Sequence, residues 1–89
     1  MTAVPFIDEI HPDYIVRTFD SNFDENDFYW HKDKKDRLIL AVSGEGWAIQ
    51  YDNELPVLLE REKTYPIKKE TWHRIIKGEG DLVLKIKEL

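Results

Sequence analysis

The sequence contains no cysteine, so neither a disulfide framework nor thiolate ligation of a metal is available to this protein. It also has no excess of positive charge, since the formal net charge is -5 at pH 7. An acidic chain without a basic stripe and interleaved aromatics is poorly suited to a phosphate backbone or an anionic membrane surface. We therefore expect no nucleic-acid or membrane partner, and any metal site must use His, Asp and Glu, with Tyr or Gln as further donors.

Long apolar runs are also missing. Residues 1–9 have no basic region and reach two acidic residues directly after a short apolar stretch, so we expect no secretory signal, no membrane span and a cytoplasmic location. The 89 residues suffice for one domain, and a domain this small has a thin margin of stability unless it pairs with another copy. Apolar residues 38–42 and the tryptophans exceed what a small monomer buries comfortably, so we expect a homodimer.

No segment shows a sustained helical period. Short stretches rich in β-branched and aromatic residues alternate with turn signals instead, which predicts an all-β sandwich or barrel. The last stretch is the clearest, because Leu82, Leu84 and Ile86 share one face of an extended chain. An acidic, turn-rich loop is predicted over residues 20–27. The predicted strands span residues 14–19, 28–31, 37–43, 47–51, 56–59, 64–67, 71–76 and 81–87.

Two histidines occur in patterned surroundings. His31 precedes an apolar strand that runs into Gly44 and Gly46, and Trp72 and His73 stand together much later in the chain. This arrangement resembles the two signature motifs of the small cupins, over a region from about residue 28 to the C-terminus. The resemblance implies a divalent metal held by side chains from both motifs, with a small molecule as the ligand.

The resemblance also implies an architecture. Small cupins are β-barrels, or jelly rolls, of two facing antiparallel sheets, and they usually pair, often by exchanging N-terminal strands. We expect residues 28–89 to form the barrel. Residues 1–27 would then supply an N-terminal strand or arm followed by the acidic loop, with residues 6–19 as an edge strand or an arm.

The first cupin motif, aligned on Gly44, places His31 at its first histidine, Asp33 at its second and Arg37 at its glutamate. The second motif keeps its histidine as His73, but neither its proline nor its glycine is present. His31 and Asp33 are two apart on a predicted strand and point to one face, and His73 on a later strand can reach the same interior. Two histidines and one carboxylate suit Fe, Mn, Ni or Zn and leave coordination positions open.

We therefore predict His31, Asp33 and His73 as the metal ligands, facing one another across the barrel interior. Their nitrogen atoms should then lie less than about 6 Å apart, given metal–ligand bonds near 2.1 Å. Since the imidazoles must be neutral to bind, metal affinity should fall as the pH drops through the histidine range. His31 is equally compatible with an ordinary strand histidine in a hydrogen bond, and the tryptophans with packing.

Arg37 opposes metal binding, because a guanidinium beside a dication costs energy and cannot deprotonate. Either Arg37 pairs with Asp33 and the metal is lost, or Asp36 supplies the carboxylate through a bulge while Arg37 turns away. In both cases an inward Arg37 could clamp the carboxylate or phosphate of an acidic ligand. Tyr29 and Gln50 are the other candidate ligand-binding residues.

Three functions are compatible with these residues. The first is a metal-dependent isomerase, dioxygenase or decarboxylase acting on a small polar or acidic molecule. The second is a non-catalytic ligand-binding module that has lost its metal, which Arg37 favours. The third is a structural or regulatory domain that acts through its dimer face. The chemically complete set of His31, Asp33 and His73 makes a metal-binding cupin the preferred interpretation.

Overall fold

The computed structural model describes residues 4–24 and 28–89, and all regular secondary structure in these residues is β. The prediction of an all-β protein is therefore confirmed. No helix in this part of the chain meets the length and apolarity needed to cross a membrane. The strands are β1 (Phe6–Ile10), β2 (Ile15–Phe19), β3 (Arg37–Glu45), β4 (Ala48–Tyr51), β5 (Val57–Leu58), β6 (Thr64–Ile67), β7 (His73–Ile76) and β8 (Glu79–Glu88).

The strands form two antiparallel sheets, as expected for the cupin jelly roll. A five-stranded sheet has the order β1-β2-β8-β3-β6, and a three-stranded sheet has the order β5-β4-β7. β8 is the central strand of the larger sheet and pairs with both β2 and β3. The N-terminal segment thus contributes an edge strand, β1, and an inner strand, β2.

The hydrophobic core lies between the sheets, and inward-facing residues of both contribute to it. Leu82 and Leu84 of β8 and Ile39 of β3 come from the larger sheet, and Ile49 of β4 from the smaller one. Trp47, directly before β4, is fully buried, and its indole Nε1 donates to the carbonyls of residues 79 and 80. Full burial of one such large apolar side chain stabilises the fold by about 1.5–3 kcal/mol.

Most strand boundaries differ from the predicted ones by one or two residues, and two differences have a structural cause. The predicted strand over residues 28–31 is wrong, because its only ladder contact is an isolated bridge between His31 and His73. Phe28 is buried while Tyr29 and Trp30 are both exposed, so the segment lacks the alternation that a paired strand needs. β3 continues to Glu45, since bulges around Ser43 keep it paired with β8 beyond the predicted end.

The predicted acidic loop is described only in part, because residues 25–27 lie outside the described residues, as do residues 1–3 of the predicted N-terminal arm. Its first half forms a turn in which the amide of Asn22 donates to the Asp20 carboxylate at 2.7 Å. Asp81 Oδ1 accepts from the Ser21 amide at 3.0 Å, which ties this turn to β8.

Candidate functional site

A cavity of about 370 Å³ opens between the two sheets. One end of its lining is polar and consists of His31, Asp33, Arg37 and His73. Its walls are apolar, and a second arginine, Arg17, lines it as well. A volume of this size is within the range of small-molecule pockets, which combine apolar walls with a few convergent polar groups. The apolar walls include Phe19, Ile39, Ile67, Ile75, Leu84 and Ile86.

The two histidines of the polar end are fixed by backbone hydrogen bonds to each other. The amide of each donates to the carbonyl of the other at 2.9 Å, which forms the isolated bridge. Their ring centroids are 4.2 Å apart. His73 begins β7 and is only 2% exposed, whereas His31 lies nearer to solvent. The bridge therefore sets both imidazoles beside the cavity without a regular strand at His31.

Each imidazole has its Nδ1 atom against a backbone carbonyl. His31 Nδ1 lies 3.1 Å from the Tyr29 oxygen, and His73 Nδ1 lies 2.8 Å from the Thr71 oxygen. A carbonyl only accepts, so in each neutral ring the proton is assigned to Nδ1 and the lone pair to Nε2. This is the arrangement in which a histidine presents Nε2 to a metal ion while a carbonyl holds the ring.

Burial lowers the pKa of His73, which keeps this imidazole neutral near pH 7. The hydrogen bond to the Thr71 carbonyl and the charge of Asp33 act in the opposite direction, while His31 and Arg37 add to the lowering. A neutral ring with its lone pair on Nε2 is the form that binds a metal.

The Asp33 carboxylate lies close to Nε2 of His73. Its Oδ2 atom lies 3.4 Å from His73 Nε2, is buried, and has no hydrogen-bond partner among the described residues. Two acceptor atoms therefore lie 3.4 Å apart in a buried place with no hydrogen bond between them, which is unfavourable unless a proton or a cation lies between them.

The residues at this end of the cavity fit a divalent cation. One ligand atom each from His31, Asp33 and His73 lies within 4.8 Å of the others. Two ligands on opposite sides of an ion with bonds near 2.1 Å are about 4.2 Å apart, so small side-chain movements would bring all three to bonding distance. Two imidazoles and a carboxylate are the donor set expected for Fe(II), Mn(II), Ni(II) or Zn(II).

Arg37 neutralises the other side of the carboxylate. Its Nη1 atom lies 3.3 Å from Asp33 Oδ1 and its Nη2 atom 3.4 Å from Glu88 Oε2, while its buried Nε atom has no hydrogen-bond partner in the described part of the chain. Arg37 therefore pairs with Asp33, as in the first of the two alternatives, but through Oδ1. The Oδ2 atom remains beside His73 Nε2.

The remaining predicted site residues lie in different places. Asp36 is exposed, and its carboxylate accepts from the Lys69 amide at 2.8 Å, away from the histidine pair. Tyr29 lines the cavity and also supplies the carbonyl that orients His31. Gln50 is not among the lining residues; it bonds Arg74 and the Glu54 carbonyl, because its position on β4 alternates with the cavity side.

The sequence reasoning missed Arg17 and its partner Asp8. Arg17 lines the cavity from β2, and Asp8 lies opposite it on β1. The sequence did contain a signal for this ion pair. β1 and β2 form a hairpin around the turn at Pro12, and in its register Asp8 is directly opposite Arg17. Reading residues 6–19 as a hairpin would have paired the two opposite charges.

Comparisons with known proteins support the fold. No family model and no curated protein matches the chain. Among solved structures, one of the DMSP lyases RdDddP and RnDddQII has 17% identity and a TM-score of 0.72, over 84% of this chain and 36% of that chain. KdgF from Halomonas sp. has 17% identity and a TM-score of 0.70, over 99% and 83%. The iron(II) form of HppE has 16% identity and a TM-score of 0.69, over 94% and 50%.

These similarities confirm the cupin fold that the two motifs predicted. The identities are low, and the chain spans about a third of the length of the lyase and half that of HppE. The likeness therefore concerns the barrel alone. One neighbour is a lyase and another holds iron(II), so this fold carries metal and catalysis in proteins of similar shape.

Proposed function

We propose that this chain is a metal-binding cupin domain that takes up a small polar or acidic molecule beside the ion. His31, Asp33 and His73 are the proposed ligands. The observation that carries the proposal is the buried Oδ2 atom of Asp33, which has no hydrogen-bond partner among the described residues and lies 3.4 Å from His73 Nε2. A divalent cation between them would remove the unfavourable contact.

The protein's own residues define what such a site can do. When bound, a divalent ion supplies Lewis acidity and polarises an oxygen of the ligand. The Tyr29 and Thr71 carbonyls hold the two imidazoles in orientation, and the apolar walls limit water around the ligand. Arg37 lines the same end of the cavity, so its guanidinium is available to an acidic group of a ligand near the ion. An isomerase, a dioxygenase or a decarboxylase is compatible with this arrangement.

A non-catalytic ligand-binding module is the second candidate. It is favoured by Arg37, whose fixed positive charge lies 3.3 Å from Asp33 Oδ1 and already neutralises much of the only carboxylate in the proposed ligand set. A positive charge this close to the Asp33 carboxylate repels a dication bound by the same carboxylate. The two candidates differ in whether the ion binds at physiological concentrations.

Metal titration of the purified protein tests the proposal. We expect the wild type to bind Zn(II) or Mn(II) at one site per chain in isothermal titration calorimetry, and His73→Ala to lose at least about a hundredfold in affinity, since one of three ligands is removed. His11→Ala is the matched control, because His11 lies in the β1–β2 turn beside Glu9. Absence of binding by the wild type, or equal binding by both variants, would reject the proposed ligands.

Arg37→Gln separates the two candidates. Removal of the guanidinium should raise metal affinity by about tenfold or more, because the like charge beside the ion is lost. If the wild type binds no metal and Arg37→Gln does, Arg37 has converted the site into a binding module. If both bind equally, the charge of Arg37 does not limit the site and the catalytic candidate is favoured.

A further inference from the structure

A second cationic group lines the cavity away from the histidines. Arg17 is on the inward face of β2 between Ile15 and Phe19, and its side chain is 14% exposed. A guanidinium stays charged at all relevant pH values, so an inward arginine needs hydrogen-bond acceptors. The N–H groups of Arg17 therefore need acceptors beside the cavity.

Asp8 satisfies only one edge of this guanidinium. Arg17 Nε donates to Asp8 Oδ1 at 2.7 Å and Arg17 Nη2 donates to Asp8 Oδ2 at 2.9 Å. The Phe6 ring lies against the guanidinium plane, with its centroid 3.8 Å from Cζ. Nη1 has no hydrogen-bond partner within residues 4–24 and 28–89. The guanidinium is thus held in a fixed plane, and the edge that carries Nη1 remains available for a hydrogen bond to a ligand.

Apolar residues separate this arginine from the candidate metal centre. In the register of the larger sheet, Arg17 is opposite Leu84 of β8 and Arg37 is opposite Glu88. Four residues along a strand span roughly 13 Å. Ile39 and Ile86, which are opposite each other in the register, line the cavity between these levels. The cavity therefore has a polar group near each end and an apolar middle.

We propose that Arg17 binds the anionic end of the ligand, and that the ligand is a small carboxylate with an apolar body whose other end reaches the metal centre. This proposal rests on the proposed function and adds the substrate class. The second edge of an arginine matches the two oxygens of a carboxylate, and a charge-assisted hydrogen bond of this kind is among the stronger ones. Asp8 acts as a positioning residue that also competes with the ligand for the guanidinium.

The test compares linear carboxylates, from hexanoate to decanoate, with the corresponding primary amides in metal-free protein. Calorimetry on the wild type should give tighter binding of the carboxylate, on the order of tenfold at the best chain length. Arg17→Gln should remove the preference. Asp8→Asn should increase it, because the competing carboxylate is gone. An ion pair with only a structural role would leave the preference unchanged in both variants.

Two outcomes overturn the proposal: no preference in the wild type, or a preference that survives Arg17→Gln, and loss of the preference in Arg37→Gln in the second case would assign it to Arg37. Circular dichroism and a thermal melt verify that each variant is folded. If Arg17→Gln does not fold, Asp8→Asn decides, since tighter carboxylate binding supports the proposal and unchanged or weaker binding rejects it. His73→Ala should keep the preference, so a failure of metal binding and a failure at Arg17 are distinguished.

Discussion

His73 is the residue at which the smaller sheet, the cavity and the candidate metal centre meet. It pairs with Tyr51 in β4, bridges to His31 through its backbone, and faces Asp33 with its side chain. Because it is buried, it is held neutral, and protonating it in the folded protein costs free energy. The ionisation of His73 is therefore coupled to the stability of the metal-free protein.

Stability of the metal-free protein should rise with pH in a way that depends on His73. The folded state lowers the pKa of His73, so the unfolded chain binds more protons between the two pKa values, and the free energy of unfolding increases with pH there. The contribution is complete above the unfolded pKa of about 6.5 and is lost as the pH falls toward the folded pKa, by about 1.4 kcal/mol for each unit between them.

Urea unfolding of the wild type and of His73→Gln in the presence of EDTA measures this contribution. Glutamine keeps a donor and an acceptor but does not titrate. We expect the wild type to lose more stability than the variant between about pH 7.5 and about pH 5, because the unfolded chain takes up a proton at His73 in that interval while the folded state lowers the pKa of this residue. An equal loss in the two proteins would mean that His73 is as easily protonated in the folded state as in the unfolded one.

The sequence indicated which residue types form the site but not how they are held. His31 and Asp33 were expected together on one strand, whereas the structure joins His31 to His73 by a single bridge and holds the Asp33 carbonyl by the Glu70 amide at 2.7 Å. These long-range backbone contacts have no local signature. Arg37 has two acidic neighbours, and only tertiary structure shows that one of them, Glu88, comes from β8.

At the level of elements, the turn between β7 and β8 depends on close approach of two backbones. A Cβ atom at Gly78 would clash with the Glu45 carbonyl and the Trp47 amide, at the point where β3 passes into β4. At Gly80 a Cβ atom would meet no atom within 4 Å, but the residue has a φ of +63°. The two glycines are thus required for different reasons.

Gly78→Ala should destabilise the protein more than Gly80→Ala. Overpacking against backbone costs about 1–3 kcal/mol or more, whereas a left-handed conformation without glycine costs about 1–2 kcal/mol. Chemical denaturation of both variants beside the wild type measures the difference. Equal destabilisation would show that the β7–β8 turn can move away from β3 and that the close approach is not required.

Strands with a regular alternation were predicted best. β6 spans residues 64–67 as expected, and β8 contains the predicted 81–87 with extensions at both ends. The strand predicted over residues 28–31 was wrong. Tyr29 and Trp30 are residue types that favour strands, but both are exposed and neither forms a backbone pair with a described strand. β1 was predicted only as part of a broad N-terminal segment, because acidic residues are uncommon in strands. In the structure the charge of Asp8 in β1 is neutralised by Arg17 of β2.

For the whole molecule, the outer face of the larger sheet carries apolar residues of β2 and β3 on either side of the lysines of the central strand β8. Burial alternates along β3, with Ile39 and Ala41 buried and Leu38 and Leu40 only half-buried. Val16 of β2 and Leu40 of β3 flank Lys85 on this side. A sheet face of this kind suits contact with another protein surface. The homodimer expected from the sequence would use it.

We predict that Leu40→Glu shifts the protein from dimer to monomer. The charge would be desolvated in an interface formed by this face, which disfavours association. Light scattering at micromolar concentration should give twice the protomer mass for the wild type and the single mass for the variant. Leu55→Glu is the control, since Leu55 is 84% exposed beyond the end of β4. A monomeric wild type would contradict the prediction.

The central position of β8 also governs how the chain reaches its native state. Ile15 of β2 pairs with Ile86 of β8, about 70 residues later, and β3 completes its pairing only with the same strand. Such non-local sheets fold on a timescale on the order of milliseconds to seconds. During synthesis β2 and β3 must leave the ribosome with unsatisfied edges, so the nascent chain is exposed to aggregation and to chaperone binding until β8 has emerged.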